Sequence, residues 1–89
     1  MTKFELDTFE FEGVEYDVRW ESKDTRHGGP FDRGMADSYY GRRLNPHFYI
    51  GATGMSELVY TSQMTEDEKR AYFAGYRYNE DVVQDFKEW

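Results

Sequence analysis

The chain has 89 residues, among them seven Phe, eight Tyr and two Trp, no cysteine, and a formal net charge of -7. That length allows one small core and no second, and the missing cysteines exclude disulfides, thiolate metal sites and cysteine nucleophiles together. No apolar run reaches the roughly 18 residues of a membrane span and Met1 to Glu5 has no signal-peptide core, so a cytoplasmic protein with no membrane partner is expected.

The charge is uneven: residues 1 to 24 carry a net -5, residues 25 to 47 a net +2 and residues 48 to 89 a net -4. A general nucleic-acid coat draws its affinity from many Lys/Arg contacts to phosphate, which acidic flanks oppose. A basic partner, or a protein with a charge-matched surface, suits them better.

Phe9, Phe11, Val14, Tyr16, Val18 and Trp20 share one face if Glu12-Gly13 is a two-residue turn. The spacing predicts a β-hairpin with Phe11 opposite Val14 and Phe9 opposite Tyr16, and Glu10, Glu15, Asp17 and Arg19 on the other face. Phe4 and Leu6 have the opposite parity, so a bulge near Asp7-Thr8 is expected to return them to the apolar side. Acids at period two along a strand repeat about every 7 Å, comparable to the phosphate spacing of a nucleic-acid strand. Glu10, Glu15 and Asp17 are therefore candidates for partial nucleic-acid mimicry.

Ser22 to Gly29 reads as a mobile polar loop that presents Arg26 and His27. A helix is expected to start at Pro30 to Asp32 and to stop at Gly41, a good left-handed cap. Within it Arg33 and Asp37 stand at i, i+4 and can pair, while Gly34 and Ser38 share a face. Phe48 to Ile50 and Glu57 to Thr61 read as two short strands joined by residues 51 to 56. Thr65 and Glu68 form a capping box that opens a second helix through about Arg77. Ala71 and Gly75 on that helix match the small face of the first, so the two helices are expected to meet at glycine, flanked by Tyr72 and Tyr76. Residues 78 to 89 should strap the core through Val82, Val83, Phe86 and Trp89. The expected whole is one α+β domain: an N-terminal β-hairpin (1 to 21) in a small antiparallel sheet, a helix-strands-helix unit (30 to 77) with two short helices packed on one face, and the strap.

No catalytic constellation stands out, and a non-enzyme without cofactor is expected. Glu66-Asp67-Glu68 reads as first-turn acids facing the helix dipole. His27 and His47 lack metal-ligand spacing, Ser38 lacks a His and acid partner, and Gly51-Ala52-Thr53-Gly54 lacks the Gly-Lys-Ser/Thr end of a P-loop. What remains is an Arg/Tyr patch of Arg26, Arg33, Tyr39, Tyr40, Arg42, Arg43 and His47. These residue types are enriched in binding hot spots, and they can also hold phosphate and stack a base. The competing structural reading puts Tyr39 or Tyr40 in the core, pairs Arg33 with Asp37 and leaves Arg42 and Arg43 beside a helix C-terminus.

Pro30-Phe31-Asp32-Arg33-Gly34, Ala36-Asp37-Ser38-Tyr39-Tyr40-Gly41-Arg42, Pro46-His47, Thr65-x-x-Glu68, Ala71-Tyr72-x-Ala74-Gly75-Tyr76, Asn79-Glu80 and Asp85-Phe86-Lys87-x-Trp89 together resemble a group of small proteins of tailed bacteriophages. The likeness covers about residues 30 to 89 and leaves the hairpin out. It implies a setting, the cytoplasm of an infected bacterium, where small accessory proteins bind and disable host machinery or defence systems. Arg33-Gly34, Gly41-Arg42, Pro46-His47 and Tyr72-Phe73-Ala74-Gly75-Tyr76 are also similar to the ribosome modulation factor family, from whose strongly basic character this acidic chain departs. Two functions are thus expected in order. One is inhibition of a host protein, such as a defence factor or one that handles nucleic acid; the other is binding to RNA or the ribosome through the Arg/Tyr patch.

Overall fold

A computed structural model describes residues 7–19, 22–51 and 57–88. In chain order these form β1 (Thr8–Phe11), β2 (Val14–Asp17), α1 (Pro30–Tyr39), β3 (His47–Tyr49), β4 (Leu58–Tyr60), a 3-10 turn (Thr61–Gln63), α2 (Glu66–Tyr78) and a π-type turn (Asn79–Val83). The fold is α+β, a helix pair carrying two hairpins. The second hairpin is a sheet of its own and does not extend the first.

The first hairpin follows from its alternation. Glu12 and Gly13 take φ of 52° and 81°, the two left-handed residues of a turn whose twist matches the flanking strands. Phe11 faces Val14 and Phe9 faces Tyr16, as expected. The same ladder reaches Asp7, whose carbonyl accepts from Val18 N at 2.9 Å. Continued pairing satisfies these backbone groups, so the expected bulge at Asp7-Thr8 is not there. Phe4, Leu6 and Trp20 lie outside the described residues.

α1 begins with Pro30 at its first position and Gly29 as cap. It ends in a Schellman motif: Gly41, at φ +69°, donates to Ser38 O at 3.1 Å, and Arg42 N donates to Asp37 O at 2.8 Å. Asp37 and Arg42 hold the positions where an apolar contact usually completes this motif. Here their side chains form an ion pair instead, at 3.4 Å. Nothing crowds a side chain at residue 41, so only the backbone angle resists one. Gly41→Ala is expected to cost about 1 kcal/mol in urea unfolding, and Gly41→Asn less, because Asn tolerates the left-handed region. Equal stability of Gly41→Ala and the parent would contradict the cap.

α2 opens with the capping box read from sequence: Thr65 N donates to Glu68 Oε1 at 2.8 Å and Glu68 N to Thr65 Oγ1 at 3.1 Å. The helices cross in backbone contact at Gly34 and Gly75, as expected from their small faces. A Cβ on Gly34 would stand 2.0 Å from Tyr72 O, and one on Gly75 would stand 2.0 Å from Phe31 O.

Two apolar clusters flank this crossing. Tyr16, Phe31, Ala74, Tyr78 and Val83 join Phe9, Phe11 and Val18 under the first hairpin, with ring centroids 5.1 Å apart for Phe9 and Tyr78 and 5.7 Å for Tyr16 and Phe31. Phe48, Met64 and Tyr72 join Val59, Phe73 and Tyr76 under the second. The tail is anchored by Val82 and Val83 and by Lys87 N donating to Tyr39 O at 2.8 Å. Phe86, expected as an anchor, is exposed, and Trp89 lies outside the described residues. The backbone bond at Lys87 already fixes the strap, so Phe86 is free to face water.

Candidate functional site

Folding divides the Arg/Tyr patch. Arg26 donates to Tyr49 O at 2.8 Å and to Gly51 O at 3.3 Å, tying the 22–29 loop to β3. That loop, read as mobile, is pinned further by Ser22 Oγ donating to Asp17 O at 2.7 Å and Thr25 Oγ1 to Arg19 O at 2.8 Å. Arg33 lies on its neighbour Asp32, NH2 to Oδ2 3.0 Å. The expected pairing with Asp37 does not form, because Asp37 faces inward. His47 is half-buried, with Nδ1 2.7 Å from Asn45 O and 3.9 Å from Asp37 Oδ2. Of the two tyrosines, Tyr39 is half-buried and Tyr40 exposed, their rings edge to face at 4.9 Å. The Arg42 guanidinium lies 4.6 Å over the Tyr40 ring. Arg43 is exposed and makes no hydrogen bond or ion pair among the described residues. A patch with four candidate arginines therefore keeps two.

What the sequence reading missed is the polar spine behind the patch. Asp37, 3% exposed, accepts the Tyr72 hydroxyl in a short hydrogen bond. The same phenol oxygen accepts Asn45 N at 3.0 Å. Burial first, then that bond to Asp37, holds the Tyr72 proton well above the ordinary phenol range. Tyr76 donates to Arg42 O at 2.7 Å. Ser38 donates to Glu80 in a second short bond and accepts from Asn79 Nδ2 at 2.8 Å. Asp37, Tyr72 and Tyr76 thus hold the 41–46 loop, and Ser38, Asn79 and Glu80 hold the tail to α1. The only sequence signal for this was the recurrence of Asp, Ser and Tyr at helical spacing, which amphipathic surfaces share.

The acidic side is assembled from both ends of the chain. Asp7 with Val18, Phe9 with Tyr16 and Phe11 with Val14 are the hydrogen-bonded pairs, so Glu10 and Glu15 form the closer, non-hydrogen-bonded pair between them. Both are exposed, and neither meets a counter-charge among the described residues. Asp17 differs: Arg19 grips it with Nε to Oδ1 at 2.9 Å and NH2 to Oδ2 at 2.6 Å. The Arg19 side chain, then its backbone N–H, pulls the Asp17 carboxyl down to about 2. Asp17 is accordingly a strut of the hairpin end, and the row of three free acids shrinks to Glu10 and Glu15. The sign follows: a depressed folded pKa gives a contribution present above about pH 4 and lost as pH falls towards 2. In an NMR titration Arg19→Ala should return the Asp17 midpoint towards the usual carboxylate range, and an unmoved midpoint would rule out the grip.

α2 adds Glu66, Asp67 and Glu68 beside this hairpin. Glu12 in the turn stands 3.6 Å from Arg70, which also bonds Asp67 at 2.9 Å. Between β2 and α2 lies a groove of about 390 Å³ lined by Val14, Tyr16, Asp24, Pro30, Asp67, Glu68, Arg70 and Ala71. From sequence Tyr16 reads only as core, and Asp24 only as an acid near His27. No family model, curated protein or solved structure matches this chain.

Proposed function

We propose that this chain is a non-enzymatic accessory protein of the phage type that binds a basic protein of its host and occupies the surface which that protein offers to nucleic acid. The observation that carries this is the Glu10/Glu15 pair. Like charges directly opposite on a hairpin destabilise it, and among the described residues no cation relieves them. A basic partner does so on binding, and such complementarity raises association rate and selects partners. The conversion of Arg26 and Arg33 into fold contacts works against the RNA reading, since each lost phosphate contact removes part of a salt-dependent affinity. The pattern in residues 30 to 89 supplies the phage setting.

The test is capture from bacterial lysate, with nuclease, comparing the parent, Glu10→Lys with Glu15→Lys, and Arg42→Ala with Arg43→Ala. A host protein retained by the parent and the arginine variant, and at least tenfold weaker on the hairpin variant, is the expected outcome. RNA or ribosomes that come down with the parent and are lost with the arginines would overturn the proposal.

A further inference from the structure

We propose that the groove between β2 and the first half of α2 seats one arginine or lysine side chain of the partner, its stem on Val14, Pro30 and Ala71, its cationic head between the Tyr16 hydroxyl and the carboxylates of Asp24 and Asp67. The inference rests on the acidic-side reading above and names the chemistry of its contact.

Tyr16 is 6% exposed, yet its hydroxyl makes no hydrogen bond to any described residue. The hydroxyl is not among the buried unsatisfied atoms, so the small exposed part of Tyr16 includes its oxygen, which opens on the groove wall to an incoming donor. Burial raises its pKa, Asp24, Asp67 and Glu12 raise it further, and Arg70 works against them. Tyr16, Asp24, Asp67 and Arg70 line the same groove, and the phenol stays neutral and able to accept a hydrogen bond at neutral pH. Asp24 uses Oδ2 on Asp17 N at 2.8 Å and keeps Oδ1; Asp67 uses Oδ1 on Arg70 and keeps Oδ2. Glu68 is committed to the capping box. Arg70 offsets only part of this charge, so the groove remains negative at its polar end and apolar along its floor. Lysine and arginine match that division, with an alkyl stem that covers apolar surface and a charged head. An apolar side chain there would strip water from the carboxylates without replacing it.

The experiment is fluorescence anisotropy of a labelled peptide alternating arginine and alanine, titrated with the intact chain, with a citrulline peptide as its neutral counterpart. The arginine peptide should bind and the citrulline peptide should not. Tyr16→Phe keeps the ring and removes only the open hydroxyl, so it should fold as the parent does and bind roughly tenfold more weakly, the scale of a hydrogen bond to a charged group. Asp67→Asn, at an exposed first-turn position, should weaken binding several-fold and serves as the second variant. If both variants bind as the parent does while Glu10→Lys with Glu15→Lys loses binding, the groove is overturned and the acidic-side reading stands. If the hairpin variant also binds the peptide as tightly as the parent does, both fall.

Discussion

Gly34→Ala is expected to remove a third or more of the stability of this domain. The added Cβ would meet Tyr72 O at 2.0 Å and Tyr76 N at 2.8 Å, and both are backbone atoms in the middle of α2. No rotamer change relieves such a contact, so the helices must separate and thin both flanking clusters. Overpacking usually costs 1–3 kcal/mol, and here about 3 kcal/mol or more is expected because backbone is the obstacle. A domain of this size holds roughly 5–10 kcal/mol in total. Its melting temperature should therefore drop by roughly 12 °C or more. Gly75→Ala should act alike through Phe31 O at 2.0 Å. The double variant should cost less than the sum, since one separation relieves both contacts. Thermal unfolding followed by circular dichroism checks this, and a midpoint within a few degrees of the parent would contradict the crossing.

The second large effect is expected at Asp37. Asp37→Ala leaves the Tyr72 hydroxyl without its acceptor, opens a gap beside the α1 cap and frees Arg42 from its ion pair. An unsatisfied buried polar group costs about 1–3 kcal/mol, so a loss of about 3 kcal/mol in urea unfolding is expected. Tyr72→Phe removes the other partner and should cost about 2 kcal/mol, the worth of a hydrogen bond to a charged acceptor. The pair should be non-additive by about 1 kcal/mol or more, because each single change already breaks the same bond. Strict additivity would mean that the two side chains do not act together.

Much of the fold was legible because its signals are local. The hairpin register follows from alternation about Glu12-Gly13, α1 from Pro30 and Gly41, α2 from Thr65 and Glu68, and the crossing from Gly34 and Gly75. The failures were long-range. Spacing allows Arg33 either to stay free in the patch or to pair with Asp37, but burial of the opposite face turns Asp37 towards Tyr72, and Asp32 takes the arginine. Arg26 read as a free cation because β3, where its acceptors lie, is distant in sequence. Asp17 read as a free acid because its partner Arg19 also belongs to the outer face and seemed only to alternate with it. The groove at Tyr16 was invisible for a similar reason: its walls come from β2, the 22–29 loop and α2, which no periodicity connects.

The most direct measurement is whether the captured host protein can hold this chain and nucleic acid at once. With the partner fixed and a labelled oligonucleotide bound, added chain should release the oligonucleotide in proportion to its own binding, and the Glu10→Lys, Glu15→Lys variant should not. A stable ternary complex, with the oligonucleotide retained at saturating chain, would contradict the proposed occlusion.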